Sequence, residues 1–445
     1  MKALKWILIS LAGLVVLISI FYAEENWRGK RAWENCKHEL EAKGETLDWN
    51  AYIPPDVPDY QNFFKAPRMT ELFVKPSSRQ LTNDFVIRLS NASTTSTITN
   101  ETAAINYLAW SDRFKPDFDS IRNALKRPYA RMDGDYSNPT IMPIPNFVSI
   151  RILTQTLAQR AKCYLILHQP EKALNELTLL NDSRRMLEAA PSGKPMTLVA
   201  AMINVAVTGI YVNAISTGLQ LKAWQEPQLI SFQKQLAQIN LIQPLVEAQK
   251  TEPVWLCYWI EMNQQSKIFG SVKQNYKILG LPWPRGWIYQ YMANIVKLDR
   301  MPLQGFDLTN NTVSPRVLDE AARYTDDFSN KKLPYESLAA SAVLNIWKAR
   351  QTTIYNQTLV NEAQIACALE RYHLALGNYP ETLDALAPQF IEKIPHYIIG
   401  GQPLHYRRMN DGKFSLYSVG WNEKDDGGSS GTLADINHGD WVWKN

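Results

Sequence analysis

The longest apolar run opens the chain. Trp6 to Ala23 carries no charge over 18 residues, WILISLAGLVVLISIFYA. As a helix this run is about 27 Å long, close to the roughly 30 Å hydrocarbon core of a bilayer. Lys2 and Lys5 precede it, and Trp6 and Tyr22 stand where interfacial aromatic side chains belong. A signal-peptidase site before Glu24 would need a small residue at −3, where Phe21 stands, so an uncleaved anchor is expected rather than a cleaved signal peptide. A second uncharged stretch lies between Lys194 and Lys222. It includes Asn204, Thr208, Asn213, Ser216 and Thr217. These groups are expensive in lipid and easily paired inside a protein, so a helix buried on all sides is expected, with a second span as the alternative.

Between these runs the periodicity changes. Residues 24–50 predict a polar stalk helix in which Trp27, Arg31 and Trp33 leave no clean apolar stripe and which Gly44 ends. Four prolines then exclude regular structure in IPPDVPDYQNFFKAP. From about 80 to 140 the chain is mixed and rich in Thr, Ser and Asn, with short helical pieces such as Asp117–Leu125. Phe147, Ile150, Leu153, Leu157, Ala161, Tyr164 and Leu165 recur at helical spacing until His168-Gln169-Pro170 breaks the ladder. Ala173, Leu174, Leu177 and Leu180 begin a second helix, which predicts an antiparallel pair. RAKCYLILHQPEKALNELTLL resembles one tetratricopeptide-like helix pair. No second copy follows at a 34-residue period, so an ordinary helical hairpin is expected. Further helices are expected over 196–222 and 225–250, after the aromatic LPWPRGWIYQYM stretch, after Pro315, and from about Ser337.

The C-terminal segment reads differently. Ile365, Leu369, Tyr372 and Leu376 form a helical stripe that stops at Gly377, with Pro380 just beyond. LHYRR (404–408) and KFSLYSV (413–419) predict a hairpin through a Gly-containing loop. Asn422, Glu423, Asp425, Asp426, Asp435 and Asp440 follow, interleaved with Gly427, Gly428 and Gly431. Such carboxylates repel one another unless they are solvated, protonated or bridged by a hard cation. Calcium, which takes six to eight oxygens in flexible geometry, is one reading of the loop, and a solvated acidic loop is the other.

ALERYHLALGNYPETLDAL, GQPLHYRR, FSLYSVGWNEKDDGG and ADINHGDW resemble, in this order, the globular end of a major pseudopilin of a type II secretion system. The resemblance covers Ala363 to Trp441 and implies a long helix ending in a Gly-x-Tyr-Pro turn, a small sheet and a calcium-binding loop. By the same resemblance, the Leu416–Ser418 backbone, Asp425, Asp426 and Asp435 are the expected ligands. The apolar run lacks the acidic residue that pseudopilins carry there, and some 340 residues separate it from the matching segment, so no pilus-like fibre is expected. The whole chain, with its WRGKRAWENCKHELEAKGETLDW and IPPDVPDYQNFF opening, resembles an uncharacterised family of large bacterial membrane-anchored proteins. No activity comes with that resemblance.

Composition narrows the chemistry. The 445 residues are 45% apolar and 20% charged, enough for a packed core. Lys plus Arg number 47 against 43 Asp plus Glu, too even a balance for a nucleic-acid binder. Cys36, Cys163, Cys257 and Cys367 have no metal-ligand spacing and do not make a disulfide framework. Cys367 on the apolar stripe side is expected to be a small core residue. The six histidines form no ligand pair, and there is no Walker loop, GxGxxG or GxSxG. Asp319-Glu320 and Asp326-Asp327 are adjacent, so on a helix they point apart and cannot serve each other as acid and base. Trp255, Trp259, Trp283 and Trp287, with Tyr258, Tyr289 and Tyr291, are expected to pack helices or rest on the membrane, and a glycan-binding groove is the alternative.

The expected fold is mainly α. It comprises an anchor (1–23), a polar stalk and Pro-rich linker (24–79), a helical body (80–334), and a long helix with a small α+β pseudopilin-like module (335–445). The expected function is non-enzymatic: a single-pass protein of the bacterial inner membrane, its large domain periplasmic, with protein partners or self-assembly and a secretion-related role. A membrane-tethered glycan binder or glycoside-acting enzyme is the alternative.

Overall fold

A computed structural model describes residues 2–74, 98–188, 191, 197–263, 283–343, 346–410, 412–430 and 436–443. These residues are mainly helical, with a small sheet near the C-terminus and an apolar helix at the N-terminus. The longer helices are α1 (Lys2–Glu41), α2 (Glu101–Ser111), α3 (Lys115–Ala124), α4 (Phe147–Ile166), α5 (Pro170–Asp182) and α6 (Leu198–Gln220). They continue with α7 (Glu226–Leu236), α8 (Ile242–Asn263), α9 (Arg285–Arg300), α10 (Pro315–Ser329), α11 (Pro334–Ala342) and α12 (Trp347–Leu376). Two short strands, β1 (Phe306–Asp307) and β2 (Thr312–Val313), pair antiparallel. A second sheet, of β3 (His405–Arg408), β4 (Phe414–Ser418) and β5 (Trp441–Val442), has the order β3-β4-β5. The chain divides into two units, and the division falls inside α8.

The first unit contains Met1–Ala51, Gln249–Gly305 and Arg316–Asn345, so an N-terminal segment joins two that lie much later in the sequence. Its first element departs from the expected anchor and separate stalk. A single 40-residue helix carries the apolar run directly into the polar segment and ends at Glu41, in a turn that Gly44 completes at φ +74°. None of the most apolar 18-residue stretch of α1 is buried. Past it, Glu25, Gly29, Trp33 and Leu40 are buried in a seam against α9 and its neighbours, a stripe that hydropathy hides because its first members are an acid and a glycine. The two helices run in the same direction. Glu25 accepts from the Trp287 indole at 2.8 Å at one end, and Arg300 pairs with Glu45 at 2.9 Å toward the other. Trp33, Cys257, Ile260, Met292, Ile295, Phe328 and Ala339 form the core of this unit. The helix expected from Ser337 onward is two helices: Val343 takes an extended conformation after α11, and α12 begins at Trp347.

The second unit contains Tyr52–Ala248, Phe306–Pro315 and Ile346–Asn445. The expected helical hairpin is α4 and α5. His168 adopts φ +55° at the break, and Pro170 opens α5 at a position where its missing N–H is not needed. Buried Arg160 ties the pair together, donating to Glu176 at 3.0 Å, Ser111 at 2.6 Å, Asp112 at 3.0 Å and the Tyr164 hydroxyl at 3.2 Å. The uncharged run forms α6, capped by Thr197, whose hydroxyl accepts from the Ala200 N–H. Half of its apolar window is buried rather than all of it. Ala206 and Asn213 are exposed, while Asn204, Thr208, Tyr211 and Ile215 face the interior. Asn204 accepts from Arg184 at 2.7 Å, which is how a polar group is satisfied inside this unit. Helix α12 packs on α6 and α7, with Gln357 accepting from the Leu241 N–H at 2.8 Å.

Candidate functional site

The acidic loop follows β4, the central strand of the C-terminal sheet. Register pairs His405 with Tyr417, Tyr406 with Leu416, and Ser418 with Trp441. Leu416 and Ser418 are buried, and the Leu416 carbonyl already accepts from the Trp443 N–H at 2.9 Å. Asp425 accepts from the Gly427 N–H at 2.9 Å and from the Tyr417 hydroxyl at 3.1 Å. Its carboxyl is held below the usual range, chiefly by the Gly427 N–H. His405 lies 3.7 Å from its other oxygen and stacks on the Tyr417 ring at 4.8 Å. Asp426 is exposed and accepts from Asn422 at 2.9 Å. Asp435 lies outside the described residues.

Asp440 organises this loop, although the expected ligand set leaves it out. It is 2% exposed, and its Oδ2 accepts from the N–H groups of Asp426 at 3.0 Å and Gly428 at 2.7 Å. Gly427 and Gly428 both sit at positive φ, which lets the turn aim its amides inward. Oδ1 of Asp440 is buried without a hydrogen-bond partner among the described residues. Burial raises the pKa of this carboxyl, the two loop N–H groups oppose the shift, and the charges of Asp425 and Asp426 add to it. Among the described residues no three His, Cys, Asp or Glu side chains already converge as a metal-holding group. In the sequence Asp440 is one acid among several in this loop, and nothing local marks it as the one turned inward.

Glu362 lies inside the same unit on α12 and is completely buried. Burial pushes its pKa well above the ordinary carboxylate value, and the Ser418 backbone N–H opposes the shift. At the helix end, Gly377 takes φ +77° as expected. Tyr379 then folds back to donate to Glu370 at 2.8 Å and stacks on His373 at 4.6 Å.

A cleft of about 960 Å³ opens elsewhere in the second unit. Asn240, Asn311, Gln357, Asn361, Gln364 and Lys393 are among its lining residues, and no described carboxylate lines it. Its walls are held from within: Gln357 donates to Asn361 at 3.2 Å, and Asn361 donates to the His396 carbonyl at 2.8 Å. Asn311, at φ +52°, has a buried side-chain oxygen with no partner among the described residues.

The tryptophans are placed as packing groups. Trp287 is 4% exposed, its indole N–H is spent on Glu25, and its ring meets Trp283 and Tyr335 edge-on or tilted, each at 5.5 Å. Trp255 donates to Glu252 at 2.8 Å, and Trp259 packs on the first unit's core. Cys163, Cys257 and Cys367 are buried and Cys36 is half-buried, all as free thiols. Burial pushes Cys36 up to about 11, outside the range of a reactive thiolate. Comparison of the chain with known protein families, with curated proteins and with solved structures gives no match.

Proposed function

We propose that this chain is a non-enzymatic, single-pass protein of the bacterial inner membrane whose periplasmic body holds other envelope proteins or further copies of itself, in a secretion-related assembly. The observation that carries this reading is the unburied apolar half of α1, continuous with a helix whose seam is built into the first unit's core. A body joined to its anchor in this way is suited to fixing partners at a set position on the membrane. The C-terminal module is pseudopilin-like and stabilised by calcium. The unpartnered, buried Oδ1 of Asp440, flanked by Asp425 and Asp426, supports a hard cation there, with backbone carbonyls near Leu416 and Ser418 as further oxygens. Extraction of the native protein in mild detergent, followed by size determination and identification of what co-purifies, tests the assembly role. A lone monomer would argue against it.

The cleft of the second unit, lined by carboxamides and Lys393, favours a second reading, glycan binding. Carboxamides that are pre-oriented by their own hydrogen bonds suit sugar hydroxyl and acetamido groups, and about 960 Å³ is enough for a short oligosaccharide. With no described carboxylate in the lining, the two-carboxylate route to glycoside hydrolysis has no support here, so this reading is of binding alone. Retention on a polysaccharide panel that disappears in Gln364→Ala tests it, and retention that follows Trp283→Ala instead would return the site to the tryptophans.

A further inference from the structure

We propose that the first unit is seated on the lipid surface around the exit of α1, so that the membrane headgroup layer is itself a binding partner of this unit. The proposal rests on reading α1 as a membrane span, and it adds where the body meets lipid. Phe21 is in the last apolar turn, and its ring lies 6.3 Å from that of Trp287, edge to face. Trp287 in turn lies 5.5 Å from Trp283, just before α9, and 5.5 Å from Tyr335, in the first turn of α11. These ring contacts bring the N-terminal ends of α9 and α11 to the level of Phe21 to Glu25, where the chain leaves the hydrocarbon. Because α9 runs parallel to α1, its other end points away from the bilayer.

The side chains at this level match what the interface selects. Trp27 is 57% exposed on the face of α1 turned away from its seam, about 9 Å beyond Phe21, and the Arg31 guanidinium lies over its ring at 5.3 Å. On the α11 side, Leu333 is 42% exposed, preceded by exposed Lys331 and Lys332, and Arg285 is exposed at the start of α9. Neither these lysines nor Arg285 makes an ion pair with a described carboxylate. Tryptophan and tyrosine rings with long cationic side chains sit at the headgroup boundary, apolar body inward and polar tip outward. Exposed Glu24, Asp326 and Asp327 and half-buried Glu336 bring the charge near balance, so the attraction is amphipathic rather than a demand for anionic lipid. Lipid, rather than a protein, is the occupant because the surface continues directly from the span: any other partner at this level has to displace headgroups already surrounding α1.

The test uses the full chain in phosphatidylcholine nanodiscs with single spin labels on Leu11→Cys, Leu333→Cys, Arg285→Cys or Lys43→Cys. The native thiols give little background, since three are buried and burial holds Cys36 protonated at neutral pH. Collision with oxygen against a water-soluble relaxer reports depth. The Leu11 label is expected in hydrocarbon, the Lys43 label in water, and the Leu333 and Arg285 labels between them. Leu333 and Arg285 labels as water-exposed as Lys43, with Leu11 in hydrocarbon, would overturn the seat and leave the anchor standing. A water-exposed Leu11 label would remove the anchor, and the seat with it.

Discussion

The seam between α1 and α9 gives the sharpest prediction, because it is closed by two glycines. A Cβ at Gly286 would stand 1.8 Å from the Glu25 carbonyl oxygen, and one at Gly29 would stand 2.0 Å from the Gly286 oxygen. Both obstacles are backbone atoms, so no side chain can turn aside, and in Gly286→Ala the helices must separate by more than about 1 Å. Overpacking of this kind costs about 1–3 kcal/mol. The separation also pulls on the Glu25 bonds to Trp287 at 2.8 Å and Gln290 at 3.2 Å, and on the Gly286 N–H bond to Asn26 at 2.8 Å. Losing one hydrogen bond to a charged group adds roughly 1.5–3 kcal/mol. Helix propensity works in the opposite direction, by no more than the roughly 1 kcal/mol of a Gly to Ala change in a helix interior, since Gly286 is in the first turn of α9, so a net loss can only come from the contact. A net of about 2–4 kcal/mol corresponds to a fall in Tm of roughly 10 °C for a unit of this size. The assay is thermal unfolding of the full chain in detergent, followed by calorimetry and tryptophan emission. Gly13→Ala is the control, because nothing stands within 4 Å of the Cβ it would add. A Gly286→Ala protein melting with its parent would refute the seam.

Four further outcomes follow from the second unit. Glu362→Gln should raise stability at pH 7, read by urea unfolding. Folding raises the pKa of Glu362, so its contribution is intact below the unfolded value near 4.3 and is lost as pH rises above it; the advantage of Gln should therefore vanish below about pH 4. Chelation should lower the Tm of the unsubstituted chain, and calcium at about a hundred times Kd should stabilise it by about 2.7 kcal/mol. Asp440→Asn and Asp425→Ala should abolish that response, whereas no response in the parent would contradict a calcium site. Arg160→Leu strands the largely buried Glu176 and should cost about 3–5 kcal/mol in the same urea assay; a loss under 1 kcal/mol would show that Glu176 finds water.

What was legible in the sequence followed from hydropathy and chain-breaking residues. The apolar half of α1, the α4–α5 hairpin around His168-Gln169-Pro170, the stop at Gly377 and the β3–β4 hairpin all carry strong local signals. The seam of α1 does not, because Glu25 and Gly29 contribute through hydrogen bonding and close approach, neither of which registers as apolar periodicity. The first unit joins its N-terminal segment to one nearly two hundred residues later, and nothing local in residues 24–50 marks α9 as their partner. Trp287 illustrates the same limit: an aromatic-rich sequence does not say whether a ring is offered to a ligand or spent on a buried glutamate. Asp440 was visible as one acid among several, and only the fold distinguishes the one turned inward.

The most direct test of the central claim is gentle extraction of the native protein, with mass determination of the intact complex and identification of its components. An assembly role predicts a discrete homo-oligomer or a fixed set of envelope proteins that stays with the chain through two successive separations. A monodisperse monomer with no constant companion would contradict it.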